Sequence, residues 1–426
     1  MLYHLHQFLA DFDIPGMGLM KYLTFRTLMA ALTSMLLTLI FGEKFIRIIQ
    51  RKQIGEEIRD LGLEGQLSKK GTPTMGGVMI ILATLCGVLL WEDLTNIYTI
   101  LLTVTLLWLG MLGFIDDYIK VFKHNKNGMS EKAKLIGQIS LGLAIGLTVC
   151  YSPKIKVREE VPASVRTEYS IDEDGTVHES VSTIKADIVK STKTTIPFVK
   201  DNEFDYKWLS PLKGKWNWWS KWAIYLIMIV IVITACSNSV NLTDGLDGLA
   251  AGTTAISSAV LLIFAYLSGN VIQAGYLNIM FIPGAGEAAV FMGAVIGALI
   301  GFLWYNSYPA QIFMGDTGSL ALGGVIGVCA ILIRKELLLP ILCGVFFVEA
   351  LSVIIQRSYF KFTKKKYGQG RRFFKMAPLH HHFQKEGIKA VISAPAQVRP
   401  EAKITVRFWI IQVILAVITI ALLKIR

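Results

Sequence analysis

The chain reads as an all-α polytopic membrane protein of about ten transmembrane helices, with a small β-rich extracytoplasmic insertion. Three observations predict this. The 426 residues are 53% hydrophobic and only 17% charged, against roughly 25% charged in soluble domains. Apolar runs of about 18 residues or more, enough to cross a hydrocarbon layer, recur along the chain. One polar stretch, 152–215, breaks that rhythm.

The runs place spans at 23–49, 75–92, 97–116, 134–151, 221–238, 248–268, 286–305, 318–334, 337–358 and 405–424. The beginning does not read as a cleaved signal peptide: it has no basic leading segment, and Asp11 and Asp13 precede the first run. Basic residues crowd three connections. Arg47, Arg51, Lys52, Arg59, Lys69 and Lys70 follow the first span, and Lys120, Lys123, Lys126 and Lys132 follow the third. Lys361, Lys364, Lys365, Lys366, Arg371, Arg372 and Lys375 follow the ninth. The opposite connections, near Glu92-Asp93 and at 269–285, carry none. Positive charge marks the cytoplasmic side, so both termini are expected outside.

The expected organisation is 1–151 with four spans, 152–215 as a periplasmic insertion, and 216–426 with six spans. In the insertion, Val165–Ile171 and Thr176–Ile184 flank Asp174-Gly175, a turn dipeptide that predicts a hairpin. Trp208, Trp216, Trp218, Trp219 and Trp222 mark re-entry at the interface as an aromatic belt. The formal charge of +12 fits cytoplasmic loops facing anionic headgroups. No nucleic-acid motif accompanies it, so a nucleic-acid partner is excluded. Cys86, Cys150, Cys236, Cys329 and Cys343 lie in or beside apolar runs without a CxxC spacing, as small core residues do.

Carboxylates at membrane depth read as functional sites. Asp116-Asp117 closes the third run. Neighbours on a helix point about 100° apart, so one aspartate faces a metal or a proton while the other pairs with a lysine; a solvated helix end is the plainer reading. Asp244 and Asp247 lie in Asn241-Leu-Thr-Asp-Gly-Leu-Asp-Gly248. They share a face there, and Gly245 and Gly248 let backbone approach a ligand. Asp316 stands in Met314-Gly-Asp-Thr-Gly-Ser319 and is a metal candidate. Asn306 offers an amide for a base or sugar edge, and Phe313 a stacking platform. His380, His381 and His382 are consecutive, which suits phosphate contact or proton handling better than zinc. Lys69-Lys70 precedes a glycine-containing turn as a pair of phosphate-seeking charges. By the span order all these groups face the cytoplasm. Carboxylates for Mg2+, cations for phosphates and an aromatic with amides for a base suggest phosphoryl transfer between a soluble nucleotide compound and a lipid phosphate.

At Ser68–Gly77, Phe114-Ile-Asp-Asp-Tyr118, Asn241–Ala250, Phe313–Leu320 and Ala377–Phe383, the chain resembles the phospho-N-acetylmuramoyl-pentapeptide transferases. These belong to the polyprenyl-phosphate N-acetylhexosamine-1-phosphate transferase superfamily. The resemblance implies transfer of phospho-MurNAc-pentapeptide from UDP-MurNAc-pentapeptide to undecaprenyl phosphate, giving lipid I and UMP with Mg2+. It implies a homodimer in the bacterial inner membrane. It also implies site roles. Asp316 ligates the metal with Asp116 and Asp117 beside it, and one of that pair handles the lipid phosphate. Lys70 (or Lys69), Asn241, Asp244, Gly245, Leu246, Asp247, Asn306, Phe313 and Gln356 line the nucleotide pocket. His380, His381 and His382 flank the pyrophosphate, with His380 counted as catalytic. The insertion 152–215 is longer than the resemblance leads one to expect. A GlcNAc-1-phosphate transferase using UDP-GlcNAc is the alternative within the class, and an ion-coupled transporter outside it. Direct attack and a covalent aspartyl intermediate stay open.

Overall fold

A computed structural model describes residues 1–8, 17–52, 71–123, 125, 127–171, 177–199, 202–212, 214 and 216–423. A short α1 (Leu2–Phe8) precedes α2 (Leu23–Lys52), α3 (Gly77–Trp91), α4 (Ile97–Phe122) and α5 (Glu131–Tyr151). Four strands follow, and then α6 (Trp216–Thr243), α7 (Leu249–Ser268), α8 (Val271–Leu277), α9 (Gly286–Asn306) and α10 (Gly315–Leu332). The chain closes with α11 (Leu339–Leu342), α12 (Gly344–Tyr367), α13 (Leu379–His382) and α14 (Glu401–Leu422).

Eight of these helices, α2, α4, α5, α6, α7, α9, α10 and α14, are long and apolar enough to cross a membrane. A ninth candidate is broken: Glu336–Leu342 and Gly344–Tyr367 meet at 78°. α3 is apolar but only 15 residues long. Each expected span thus falls on a helix, with two differences. The ninth is bent, and α12 runs on to Tyr367, so Lys361, Lys364, Lys365 and Lys366 ride a helix instead of a loop. α4 likewise continues past Asp116-Asp117 to Phe122. Side-chain caps set two helix starts: Asn96 accepts the Tyr98 N–H at α4, and Ser130 accepts the Ala133 N–H at α5.

α10 is the axis of the molecule. Every residue from Thr317 to Leu332 is buried, and it packs against α4, α6 and α3. Its composition explains this: small residues let neighbouring backbones approach. At Gly113 of α4, an added Cβ would lie 2.2 Å from the Asp316 carbonyl oxygen. The two backbones therefore touch where their aspartates meet.

In the polar stretch, β1 (Val157–Ile171) and β2 (Val177–Val189) pair antiparallel, from Val157 opposite Val189 to Ile171 opposite Val177. The strands are longer than the alternation predicts, and the Asp174-Gly175 turn lies outside the described residues. β3 (Lys193–Thr195) pairs with β4 (Glu203–Asp205). This second pair plugs the far end of α10. There Arg334, Lys335 and Glu336 are all buried, an expensive placement unless each finds partners. The Thr195 N–H and the Thr194 hydroxyl donate to the Arg334 carbonyl at 3.0 and 3.1 Å. Lys335 Nζ donates to Thr195 Oγ1 at 2.6 Å, and the Tyr206 hydroxyl donates to Glu336 Oε1 at 3.2 Å. The Arg334 guanidinium lies 4.8 Å from the Tyr225 ring centroid. Burial pulls the Lys335 ammonium down to about 8.

The anchor predicts a split result. Deleting 160–186 from the hairpin leaves the melting temperature nearly unchanged. The double change Thr194→Val and Thr195→Val strands buried polar groups and costs about 1–3 kcal/mol, read as a clear drop in melting temperature. Equal melting temperatures for the double variant and the parent would dismiss the anchor.

Candidate active site

The near end of α10 has no cap from its own loop, and its first N–H groups need acceptors. Asp117 of α4 supplies them. Its Oδ1 accepts the Asp316 N–H at 3.1 Å, and its Oδ2 accepts the Thr317 N–H at 2.9 Å and the Thr317 hydroxyl at 2.6 Å. The helix N-terminus favours negative charge here. Gly315 makes the approach possible: its φ is +74°, and an added Cβ would lie 2.7 Å from Asp117 Oδ2.

Asp116 points to the same place. It is fully buried. Its Oδ2 lies 2.5 Å from Lys120 Nζ and 2.9 Å from Lys134 Nζ, and its Oδ1 accepts the Met129 N–H at 2.6 Å. Asp316 Oδ2 meets the same two ammonium groups, Lys134 at 2.6 Å and Lys120 at 3.2 Å. Its Oδ1 accepts from Asn241 Nδ2 at 2.9 Å, and that nitrogen also reaches Ser319 Oγ at 2.9 Å. Asp116, Asp117 and Asp316 each offer an oxygen within 4.8 Å of the others. The reading of Asp116-Asp117 as a solvated helix end is thereby corrected, because α4 continues and α10 covers both. Their angular separation does not part them either: α10's first turn lies across the two side chains. The donor set, three hard carboxylate oxygens, fits a divalent cation such as magnesium.

The Asn241–Gly248 stretch begins in the last turn of α6 and leads into α7. Asp244 is half-buried; burial, and then the negative charges of Asp316 and Asp117, push its carboxyl up to about 8. Asp247 is buried, with Oδ2 accepting the Ala310 N–H at 3.0 Å and its own N–H donating to Glu401 Oε1 at 2.7 Å. Leu246 packs with Leu249, Val345, Ile404 and Phe408. Asn306 is buried between main-chain groups, accepting the Gly248 N–H at 3.0 Å and donating to the Ile312 carbonyl at 2.8 Å. Half-buried Phe313 ties its backbone to the start of α3, accepting the Gly76 N–H and donating to the Pro73 carbonyl, both at 2.8 Å. Leu246, Asp247 and Asn306 thus brace the turn, while Asn241 enters the carboxylate cluster.

The histidine triplet splits three ways. His380 is fully buried, with Nδ1 3.3 Å from Glu349 Oε2 and its N–H donating to Glu349 Oε1 at 3.1 Å. Its ring lies against Gly245, where an added Cβ would sit 2.2 Å from Nε2. His381 is half-buried and pairs with Gln384 at 2.8 Å. His382 accepts the Lys375 N–H on Nδ1 at 3.1 Å and lies 2.7 Å from the Ala394 carbonyl through Nε2; burial lowers its pKa and favours that neutral ring. Gln356 Oε1 accepts the Phe373 and Phe374 N–H groups at 3.1 and 2.9 Å, shaping the loop ahead of the triplet. Lys69 and Lys70 lie outside the described residues.

Five participants escape sequence reasoning: Lys120, Lys134, Thr317, Ser319 and Glu349. Two left a signal. Lys120 stands four residues after Asp116, on the same helix face, and Glu349 is the one acidic residue in the apolar run 337–358. Lys134, Thr317 and Ser319 are placed by packing alone.

Comparison with known proteins gives concordant matches. The model of Glycosyl transferase family 4 matches residues 188–334, and a Phospho-N-acetylmuramoyl-pentapeptide-transferase signature matches 69–81. Proteins named Phospho-N-acetylmuramoyl-pentapeptide-transferase from Parabacteroides distasonis, Porphyromonas gingivalis and Flavobacterium psychrophilum are 55%, 53% and 51% identical to this chain. Each match covers 100% of both chains. The stretch 152–215, unexpected from the resemblance, is therefore matched in these relatives.

One consequence concerns the buried acid beneath the triplet. Glu349→Ala leaves the His380 N–H and ring without their partner, costing about 1–3 kcal/mol. Glu349→Gln keeps an acceptor and recovers most of it. Thermal unfolding of the two variants checks this, and identical melting temperatures would refute it.

Proposed function

This chain belongs to the phospho-N-acetylmuramoyl-pentapeptide transferase family, and on that premise we propose how its residues work. It transfers phospho-MurNAc-pentapeptide from UDP-MurNAc-pentapeptide to undecaprenyl phosphate in peptidoglycan synthesis, releasing UMP. The observation that carries the reading is the cluster of Asp116, Asp117 and Asp316, with oxygens within 4.8 Å of one another, at the start of a buried helix.

In our reading the enzyme depends on magnesium held by Asp316 with Asp116 and Asp117. Bound there, the ion would supply positive charge to the diphosphate as UMP leaves. An oxygen of the lipid phosphate attacks the sugar-bearing phosphorus. One P–O bond forms as the bond to the bridging oxygen breaks, and UMP departs with that oxygen and its electron pair. Both Asp117 oxygens are committed to the first turn of α10, which makes Asp117 a poor nucleophile. We therefore favour direct displacement over an aspartyl intermediate, with Asp117 positioning Asp316. Lys120 and Lys134 offset the carboxylate charge. His380, set against Gly245 by Glu349, borders the diphosphate with His381 and His382. Asn241, Asp244, Gly245, Phe313 and Gln356 face the nucleotide, with Lys69 or Lys70 on phosphate. Leu246, Asp247 and Asn306 serve this pocket by shaping its wall. The site opens to the cytoplasm in the bacterial inner membrane, both termini lie outside, and the enzyme works as a homodimer.

The test is UMP release by purified protein with undecaprenyl phosphate, with and without Mg2+, using UDP-MurNAc-pentapeptide and UDP-GlcNAc in parallel. Release is expected only with the muropeptide donor and metal. Asp316→Asn is expected to lower turnover by about 100- to 1,000-fold, on the scale of losing an electrostatic catalytic group, with helix content unchanged by circular dichroism. Full turnover in that variant would remove the metal assignment.

A further inference from the structure

The distal half of α12 carries a charge pattern that the transfer reaction does not use. No Asp or Glu occurs between Glu349 and Glu386. Within that interval Arg357, Lys361, Lys364, Lys365, Lys366, Arg371 and Arg372 are all exposed. Among the described residues only Arg357 has a carboxylate within reach, Glu131 at 3.8 Å. The helix is two-part. Val348, Leu351 and Ile354 are exposed along its first half. At spacings of three and four residues, the exposed positions then change to Arg357, Lys361 and Lys364, continuing along one side of the rod. Apolar side chains facing outward and then cations on the same flank describe a helix leaving hydrocarbon at headgroup level.

Exposed aromatics stand with these charges. Phe360, Phe362 and Tyr367 are open to the surroundings. Lys366 lies 5.2 Å and Arg371 4.7 Å from the Tyr367 ring centroid. The chain turns back at Gly368, in left-handed conformation with φ +74°. The Arg371 N–H then donates to Thr363 Oγ1 at 2.8 Å, bringing the last two arginines beside the helix end. Cations and rings thus gather within a few turns of the end of an apolar helix, an arrangement that favours anionic headgroups.

We propose that the distal half of α12, with Arg371 and Arg372, is a binding surface for anionic phospholipid headgroups in the leaflet that α12 leaves. The ligand chemistry is the lipid phosphate diester, attracted by point charges and packed against interfacial aromatics. Such a surface holds anionic lipid beside the loop bearing His380 to His382, which follows Arg372 within the same chain segment.

The test uses the full chain reconstituted in phosphatidylcholine vesicles with spin-labelled phosphatidylglycerol or phosphatidylcholine as probe. Wild type is expected to prefer the phosphatidylglycerol label at least threefold at low salt. The preference is lost in 0.5 M NaCl, where charges are screened within about 4–5 Å. The quadruple variant Lys361→Gln, Lys364→Gln, Lys365→Gln, Lys366→Gln is expected to abolish it, and the matching Lys→Arg variant to keep it. No preference in the wild type, or the same preference in the glutamine variant, overturns the proposal. So does displacement of the label by equimolar undecaprenyl phosphate but not by excess unlabelled phosphatidylglycerol, which would assign the patch to the acceptor lipid. Neither donor nor metal enters the assay, so its failure leaves the reading of the reaction untouched.

Discussion

The site depends on one contact, the carboxylate of Asp117 against the first turn of α10. Three carboxylates packed together and removed from water repel one another and lose hydration. They hold because each is compensated. Asp117 takes the N–H groups of a helix end, which have no acceptor in their own loop. Asp116 and Asp316 share two lysine ammonium groups, one from α4 and one from α5. Without the Asp117 contact, only the two lysines and Asn241 would hold Asp316 opposite Asp116, and the helix that carries it would have unsatisfied donors at its start.

That contact exists because α10 is built from small residues. A helix with bulky side chains could not bring its backbone to Gly113 of α4. The opposite end of the same helix meets the opposite problem, with Arg334, Lys335 and Glu336 driven inside. There the solution comes from β3 and Tyr206, which supply threonine hydroxyls and a phenol. The polar stretch is thus part of what holds the axis, at least through its second strand pair. α10 has a charged device at each end and apolar contacts between, so the two ends are mechanically joined by a fully packed rod.

Much of this was legible beforehand, for particular reasons. The spans show in hydropathy because lipid demands long apolar runs. The aspartates show because carboxylates beside such runs are costly. What hydropathy does not show is which polar group answers another. Asn306, Leu246 and Asp247 sit in the right turn, yet their side chains are taken up by main-chain groups or core neighbours, a division that only packing decides. Lys134 stands at the first position of the expected span 134–151, and hydropathy does not show that its ammonium group turns to Asp116 and Asp316. The break between α11 and α12 was likewise hidden, since composition stays apolar across it while the axis turns by 78°. α12 hid its basic half in the same way: a run of lysines reads as loop until the backbone shows it to be helix.

The charge of the cluster bears on what it needs. Three carboxylates beside two ammonium groups leave one net negative charge, and the carboxyl of Asp244 is pushed up by burial and then by the charges of Asp316 and Asp117. Such a site repels a diphosphate. Coulomb repulsion between unit charges 4 Å apart is about 4 kcal/mol at an effective dielectric of 20, so the lysines alone do not make an anion receptor here. They already satisfy Asp116 and Asp316. In the proposed reading, Asp116, Asp117 and Asp316 would hold a divalent cation whose charge would offset theirs, leaving Lys120 and Lys134 available to phosphate oxygens. Lys120 and Lys134 hold Asp116 and Asp316 together when only protein charges are present, and in the proposed reading the same two ammonium groups would turn to the substrate once a bound cation offset the carboxylates.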